Sequence, residues 1–362
     1  MPVPQQAYPH PHVNDAWLAR LREDVLEPGL PIVDAHHHLW ERASGVYLLP
    51  ELMTDLRAGH DVRATVFIQC GYGVRADGPP EMRPVGETET VTRIVSGAGP
   101  GVCAGIAGPG VRATIAGPGV CAGIVGYADF RLGERVEAVL EAHVQAGGGR
   151  FRGIRQSAGW DAAILTQTSA PAPPGLLADP AFRDGLGRLG RFGLSYESSL
   201  YHPQLPELAA LARAFPDLPI LANHCGGYIA IGPHAGDLTD TFRRWRAGLR
   251  ELAACPNVYL KLGGQAMTIR GVSFDQQALP PSSGELARAW RPVMETCVET
   301  FGAGRCMFES NFPVDKGMCS YTSVWNAFKR IAAGCSEGEK AELFHAAATR
   351  FYRLDAVETL HV

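Results

Sequence analysis

A chain of 362 residues, 46% apolar and 19% charged, is long enough for one large α/β domain or two ordinary ones, which excludes a small stapled scaffold. Its 33 basic and 37 acidic side chains leave a formal net charge of -4, so there is no electrostatic reason to expect a nucleic acid or an anionic membrane as partner. Nine cysteines, an odd number with no Cys-x-x-Cys pair, argue against a disulfide framework or a zinc ribbon and for reduced thiols in a cytoplasm.

The opening MPVPQQAYPHPHVNDAW lacks the basic start and continuous apolar run of a secretory signal, so no export is expected, and residues 1–29 read as an extension ahead of the folded domain. Eight short apolar runs then read as strands, at 31–38, 63–70, 120–128, 151–157, 193–201, 218–225, 257–264 and 305–311. Between them, apolar residues at three- and four-residue spacing predict helices, clearest at 134–146, 205–215, 242–255, 321–334 and 339–354. The alternation predicts an α/β fold with a parallel sheet, and eight strands in one chain favour a closed (β/α)8 TIM barrel, a single domain over 30–355, above an open sheet.

Two stretches interrupt this pattern. The uncharged run Ile94–Val111 approaches the length of a membrane span, but Pro100, Pro109 and six glycines break it, so no transmembrane segment is read there. The same region is an internal repeat, AGPGVCAGI at 98–106, AGPGVRATI at 107–115 and AGPGVCAGI at 116–124. A phosphate-cradling reading needs a helix directly after the glycines, and none follows; a surface insertion at about 97–119 is favoured, since loops tolerate added length at small entropic expense. Loops at 75–89, 169–175 and 264–284 are expected to wall the pocket.

The sharpest chemical signal is Asp34-Ala35-His36-His37-His38 at the end of the first strand. Side chains alternate along a strand, so His36 and His38 share a face and can grip one divalent cation, while His37 points away. A strand end whose imidazoles are satisfied by backbone and carboxylate partners is the equal alternative. His224, closing the apolar run before Gly226-Gly227, belongs at the C-terminal tip of the sixth strand, the side where barrel active sites lie. Lys261, set among apolar residues of the seventh strand, is costly to bury unless it meets a carboxylate or a substrate. Gln69 and Tyr72, after the second strand, are polar contacts of low specificity.

Taken in order, DAHHHLW, FRGIR, ANHCGG, NVYLKLGG and MFESNFPVD resemble the amidohydrolase-related metal-dependent hydrolases of barrel fold over roughly residues 30 to 355, outside the repeat. The nearer branch holds sugar-lactone and pyrone dicarboxylate lactonases, and a more distant branch the aminocarboxymuconate semialdehyde decarboxylase. The resemblance implies that His36, His38 and His224 hold one divalent ion, zinc by ligand type, or polarise a carbonyl without metal. It implies that Arg155 faces an anionic substrate group, a salt bridge supporting the barrel being the alternative, and it places His202 near a strand-five histidine in uncertain register. The family's strand-eight Gly-Ser-Asp-Trp-Pro is here Glu309-Ser310-Asn311-Phe312-Pro313, and an amide cannot shuttle a proton, so Glu309 or Asp315 must replace the missing aspartate while Asn311 orients the substrate. An internal salt bridge with Lys261 or Arg155 is the other reading of Glu309. The expected activity is lactone or cyclic-ester hydrolysis on a small carboxylic substrate; decarboxylation, and a barrel that binds without turnover, remain open. Oligomer formation is not decided by these residues.

Overall fold

The structure, a computed structural model, describes residues 5–6, 10–42, 45–96, 119–165 and 172–354. Eight parallel strands form one sheet in sequential order: β1 Pro31–His37, β2 Asp61–Ile68, β3 Gly123–Gly126, β4 Phe151–Arg155, β5 Ser195–Ser198, β6 Ile220–Ala222, β7 Val258–Leu262 and β8 Cys306–Phe308. Each falls within the run that the sequence marks, except that β2 begins at Asp61, two residues before its run. The ring closes between β8 and β1: His38 N donates to Phe312 O at 2.7 Å and Asn311 N to His36 O at 2.9 Å, and His37 and Phe312 form a parallel bridge. The repeat insertion lies outside the described residues apart from Gly119, whose carbonyl accepts from Thr65 N at 2.9 Å. Among the described residues no helix is long and apolar enough to cross a membrane, and the eight described cysteines are free thiols.

Two apolar layers follow from the alternation of strand side chains. Ile32, Phe67, Ile154, Tyr196, Ile220, Leu260 and Phe308 face outward and join the helices in the larger core. Val33, Ala64, Val66, Ile68, Val125, Leu221 and Met307 point inward, and Phe351 and Tyr352 of the closing helix Ala347–Tyr352 join them. The next inward positions along these strands are polar: Arg155, Glu197, Asn223, Lys261 and Glu309. Beta-strand register explains why the apolar floor gives way to charge only at the C-terminal ends.

The phase of β1 departs from simple alternation. Its pairing with β2 shifts between Asp34 and His37, so Val33 and Ala35 lie in the inner cluster and His36 and His38 still turn inward. His37 faces outward as expected, with Nε2 2.9 Å from Thr65 Oγ1. The extension before Leu30 is not loose: Asn326 Nδ2 donates to Asp24 O at 2.9 Å, Lys329 Nζ to Glu27 O at 2.9 Å, and Glu23 accepts from Ser283 Oγ at 2.8 Å.

Candidate active site

The histidine cluster forms at the C-terminal rim. His36 and His224 ring centroids are 4.8 Å apart, and His36 and His38 likewise 4.8 Å apart in an edge-on pair. His224 follows β6 in a run of four left-handed residues, with φ of 52°, 53°, 67° and 68° from His224 to Gly227, the sort of strain that folds store at working sites. A Cβ on Gly227 would stand 1.8 Å from Leu200 O, so the two glycines after the histidine are needed for the turn. Arg270 Nη2 donates to His224 O at 2.7 Å and its Nε to Gly264 O at 3.1 Å, pinning the turn from the loop after β7.

The His38 tautomer is fixed by a hydrogen bond to a backbone carbonyl. His38 Nδ1 lies 2.7 Å from Ile68 O, which can only accept, so Nδ1 carries the proton and Nε2 is the acceptor. His36 Nε2 lies 3.2 Å from His38 Nε2 and 3.4 Å from Arg155 Nη1, which can only donate; burial, with Lys261 beside His36 and Arg155 beside both, holds the two rings well below the usual histidine range and so neutral. His36 Nδ1 faces Lys261 Nζ at 3.3 Å, Asn223 Nδ2 at 3.4 Å and Glu309 Oε2 at 2.7 Å. Glu309 Oε1 accepts from His224 Nδ1 at 2.7 Å, but Oε2 is fully buried and has no hydrogen-bond partner.

Glu309 therefore joins the imidazoles and does not form the salt bridge with Lys261 or Arg155 that was its alternative reading. Lys261 instead pairs with Glu197 at 2.8 Å, and Tyr352 Oη donates to the other Glu197 oxygen at 2.5 Å, all three side chains buried. That arrangement makes Lys261 the floor beneath His36. Glu197 escaped the sequence reading although a lone acid at an inward position of SYES was its signal; Arg270 carried none.

Arg155 reaches the cluster, with Nη1 3.4 Å from His36 Nε2; Nη2 donates to Gln69 O, and Nε is buried without a partner. Gln69 thus acts on Arg155, returning a contact from its own Nε2 to Arg155 O at 3.4 Å. Tyr72 engages the carboxylate of Glu87 through its backbone N at 2.9 Å, and no contact joins its ring to the cluster. His202 lies apart: its Nδ1 accepts from Ile229 N at 3.3 Å and its ring meets His234, itself 2.9 Å from Asp161. His38 reaches the set only through His36, so the third donor beside His36 and His224 is Glu309.

Asn311 is also placed differently. The strand ends at Phe308 and Asn311 takes a left-handed φ of 56°, which strand alternation could not foresee. Its Nδ2 donates to Asp315 Oδ1 at 2.8 Å, so the amide nitrogen is turned to Asp315. Burial pushes the Asp315 carboxyl up to about 7, while the bonds from Asn311 and from Ala266 N to Asp315 Oδ2 at 3.2 Å pull the other way. A carboxyl with a raised folded pKa loses stability as pH climbs from its unfolded to its folded value. Asp315→Asn should accordingly gain stability relative to the parent between about pH 4 and pH 7, by up to about 4 kcal/mol, in urea denaturation at stepped pH. A difference that stays flat across that window would show that Asp315 is ionised in the folded chain.

A family profile described as Amidohydrolase matches residues 33–354. The chain belongs to the amidohydrolase family. The protein y4mH of Sinorhizobium fredii is 32% identical over 348 residues, covering 90% of this chain and 99% of its own. An L-fucono-1,5-lactonase of Burkholderia multivorans is 28% identical over 242 residues, 64% of this amidohydrolase and 71% of that enzyme. Two crystal structures of an amidohydrolase from Burkholderia multivorans, one with bound HEPES and one with bound zinc, share its fold at TM-score 0.65, with 23% and 22% identity over 89% of this chain and 99% of theirs.

This amidohydrolase presents a donor set that fits the divalent ion its family implies. One atom each from His36, His224 and Glu309 lies within 4.8 Å of the others, all three residues buried. Two neutral imidazoles and a carboxylate are a recurrent catalytic zinc set. A buried Glu309 Oε2 without a hydrogen-bond partner calls for a positive charge at that point, and Asn223 Oδ1 is likewise buried without a partner. A Cβ on Gly264 would stand 2.6 Å from His224 Nδ1, so the loop after β7 is stripped of bulk where this ring must sit.

Proposed function

We propose that this amidohydrolase opens a lactone or related cyclic ester of a carboxylic acid by attack of water at the barrel rim. The observation that carries the reading is the convergence of His36, His224 and the unpartnered Glu309 Oε2 around one point beside Arg155. Similarity to L-fucono-1,5-lactonase over 64% of the chain supports the substrate class. His36, His224 and Glu309 would hold one divalent ion, with zinc suiting the donor types; such an ion supplies a Lewis acid for the ester carbonyl and a lowered pKa for attacking water.

The protein's own groups account for the rest. Arg155 offers its buried, unpartnered Nε to a substrate oxygen, and a fixed guanidinium aimed where negative charge develops favours the transition state over the ground state. Lys261 holds positive potential under His36 from below. Asp315, its carboxyl raised to about 7, holds a proton within the range where an acid can both give and take one at neutral pH. His38, locked by Ile68 O, turns its Nε2 toward His36 and holds that ring in place at 3.2 Å.

Turnover of sugar 1,5-lactones in water enriched in heavy oxygen, with elemental analysis before and after chelation, tests this reading. Label in the new carboxylate, and stoichiometric metal lost together with activity, are expected. Carbon dioxide release without label would make the chain a decarboxylase instead, and a metal-free active protein would end the ion assignment.

A further inference from the structure

The loop after β2 is folded tightly onto the helix that follows it, and one acid holds it there. Gly71 and Gly73 take left-handed φ of 83° and 73°, and a Cβ on Gly73 would stand 2.5 Å from Thr90 Oγ1 of helix Val85–Ser96. Gly86 opens the start of that helix to the loop, where a Cβ would stand 2.6 Å from Arg75 N. At this close approach Glu87 is 1% exposed, and its Oε1 accepts from Cys70 N at 2.8 Å and from Tyr72 N at 2.9 Å. Burial pushes the Glu87 carboxyl up, and the bonds from the loop pull it back.

A single peptide unit links this acid to the histidine cluster. The N–H of Cys70 and the carbonyl of Gln69 belong to one planar group and point in opposite directions. Its N–H end goes to Glu87, and its carbonyl end accepts from Arg155 Nη2. Arg155 Nη1 in turn lies 3.4 Å from His36 Nε2, and Gln69 Nε2 donates to Arg155 O at 3.4 Å. The other side of the loop is tied to the segment after β1, where Cys70 O accepts from Arg42 Nη2 at 2.5 Å and Cys70 Sγ donates to Leu39 O at 3.3 Å. A rigid plane passes on a tilt that a flexible side chain would absorb, so releasing its N–H end turns the carbonyl on which Arg155 leans.

We propose that Glu87 is a positioning residue which, through the Gln69–Cys70 peptide, sets the guanidinium of Arg155 against the histidine cluster. The effect on rate rests on the hydrolytic reading of Arg155; the placement of the guanidinium does not. Glu87 touches neither the histidines nor a substrate and acts only through the loop.

Two variants of the full chain separate position from bulk: Glu87→Leu removes the acceptor, and Glu87→Gln keeps an oxygen where Oε1 stands. If the leucine variant does not fold, Glu87→Asp, which draws the carboxylate back by one methylene, takes its place. The Nε–H resonance of Arg155, assigned by its loss in Arg155→Met, reads the guanidinium without any substrate; it should shift in Glu87→Leu and return in Glu87→Gln. In turnover, Glu87→Leu should lower kcat about tenfold or more with KM little changed, because Arg155 is aimed at charge that develops in the transition state, and Glu87→Gln should regain the rate. In an Arg155→Met background Glu87→Leu should cost nothing further, whereas an acid that only supports the fold would multiply the two losses. A resonance unmoved in Glu87→Leu, or losses that multiply, overturns the proposal. A resonance that shifts in a protein releasing carbon dioxide leaves the proposal standing and refutes the hydrolytic reading.

Discussion

Replacing Glu309 by glutamine is expected to lower kcat/KM by about 10²–10⁴-fold, the range over which a positioned acid or base acts. The amide matches the carboxylate in volume, so Gly263, whose added Cβ would stand 2.2 Å from Glu309 Cγ, need not move. What changes is charge. Oε1 would lose the anionic acceptor that holds His224 Nδ1 at 2.7 Å, and the buried oxygen facing His36 would no longer attract a cation. Steady-state hydrolysis should collapse and bound metal, measured by elemental analysis, should fall with it. Activity within about tenfold of the parent would remove Glu309 from the mechanism and shift the proton work to Asp315. Adding Asn311→Asp to this variant should not restore the rate, because position 311 faces Asp315 and not the histidines.

The second large effect is on stability. Lys261→Met should destabilise the fold by about 3–5 kcal/mol, since it leaves the Glu197 carboxylate in the barrel with no cation. For a chain of this size that is a fall in melting temperature of about 4–7 °C. The double variant Lys261→Met/Glu197→Gln should recover much of the loss, because a neutral pair under Tyr352 has no charge left to desolvate. Calorimetric melting of the three proteins decides it. A single variant that melts with the parent while its KM rises would return Lys261 to substrate binding, the role that its place in the sequence first suggested.

The barrel was legible because parallel strands buried on both faces leave near-continuous apolar runs, and all eight stand where those runs lie. Residues whose role follows from strand position were legible too: His36 and His38 on one face, His37 on the other, His224 at a strand tip. Three features of the site were not. The shift in β1 pairing after Asp34, by which Val33 and Ala35 share the inner side with His36 and His38, is announced by no residue type. The exchange of an expected aspartate for Asn311 pointed to a lost base, whereas the left-handed turn at Asn311 hands that amide to Asp315 and Glu309 supplies the carboxylate from the last inward position of the strand. The partnership of Lys261 with Glu197 and of Glu197 with Tyr352 joins positions 64 and 155 residues apart, and contacts across such distances along the chain leave no local pattern.

The closure between β8 and β1 carries a consequence for movement. Its backbone bonds run from His38 to Phe312 and from Asn311 to His36, so the carbonyl of a cluster histidine is itself a fastening of the ring. Parting those two strands to admit a ligand would dismantle the cluster in the same stroke. A ligand must therefore come and go above the strand ends, while the closed cylinder below holds the histidines at fixed separation.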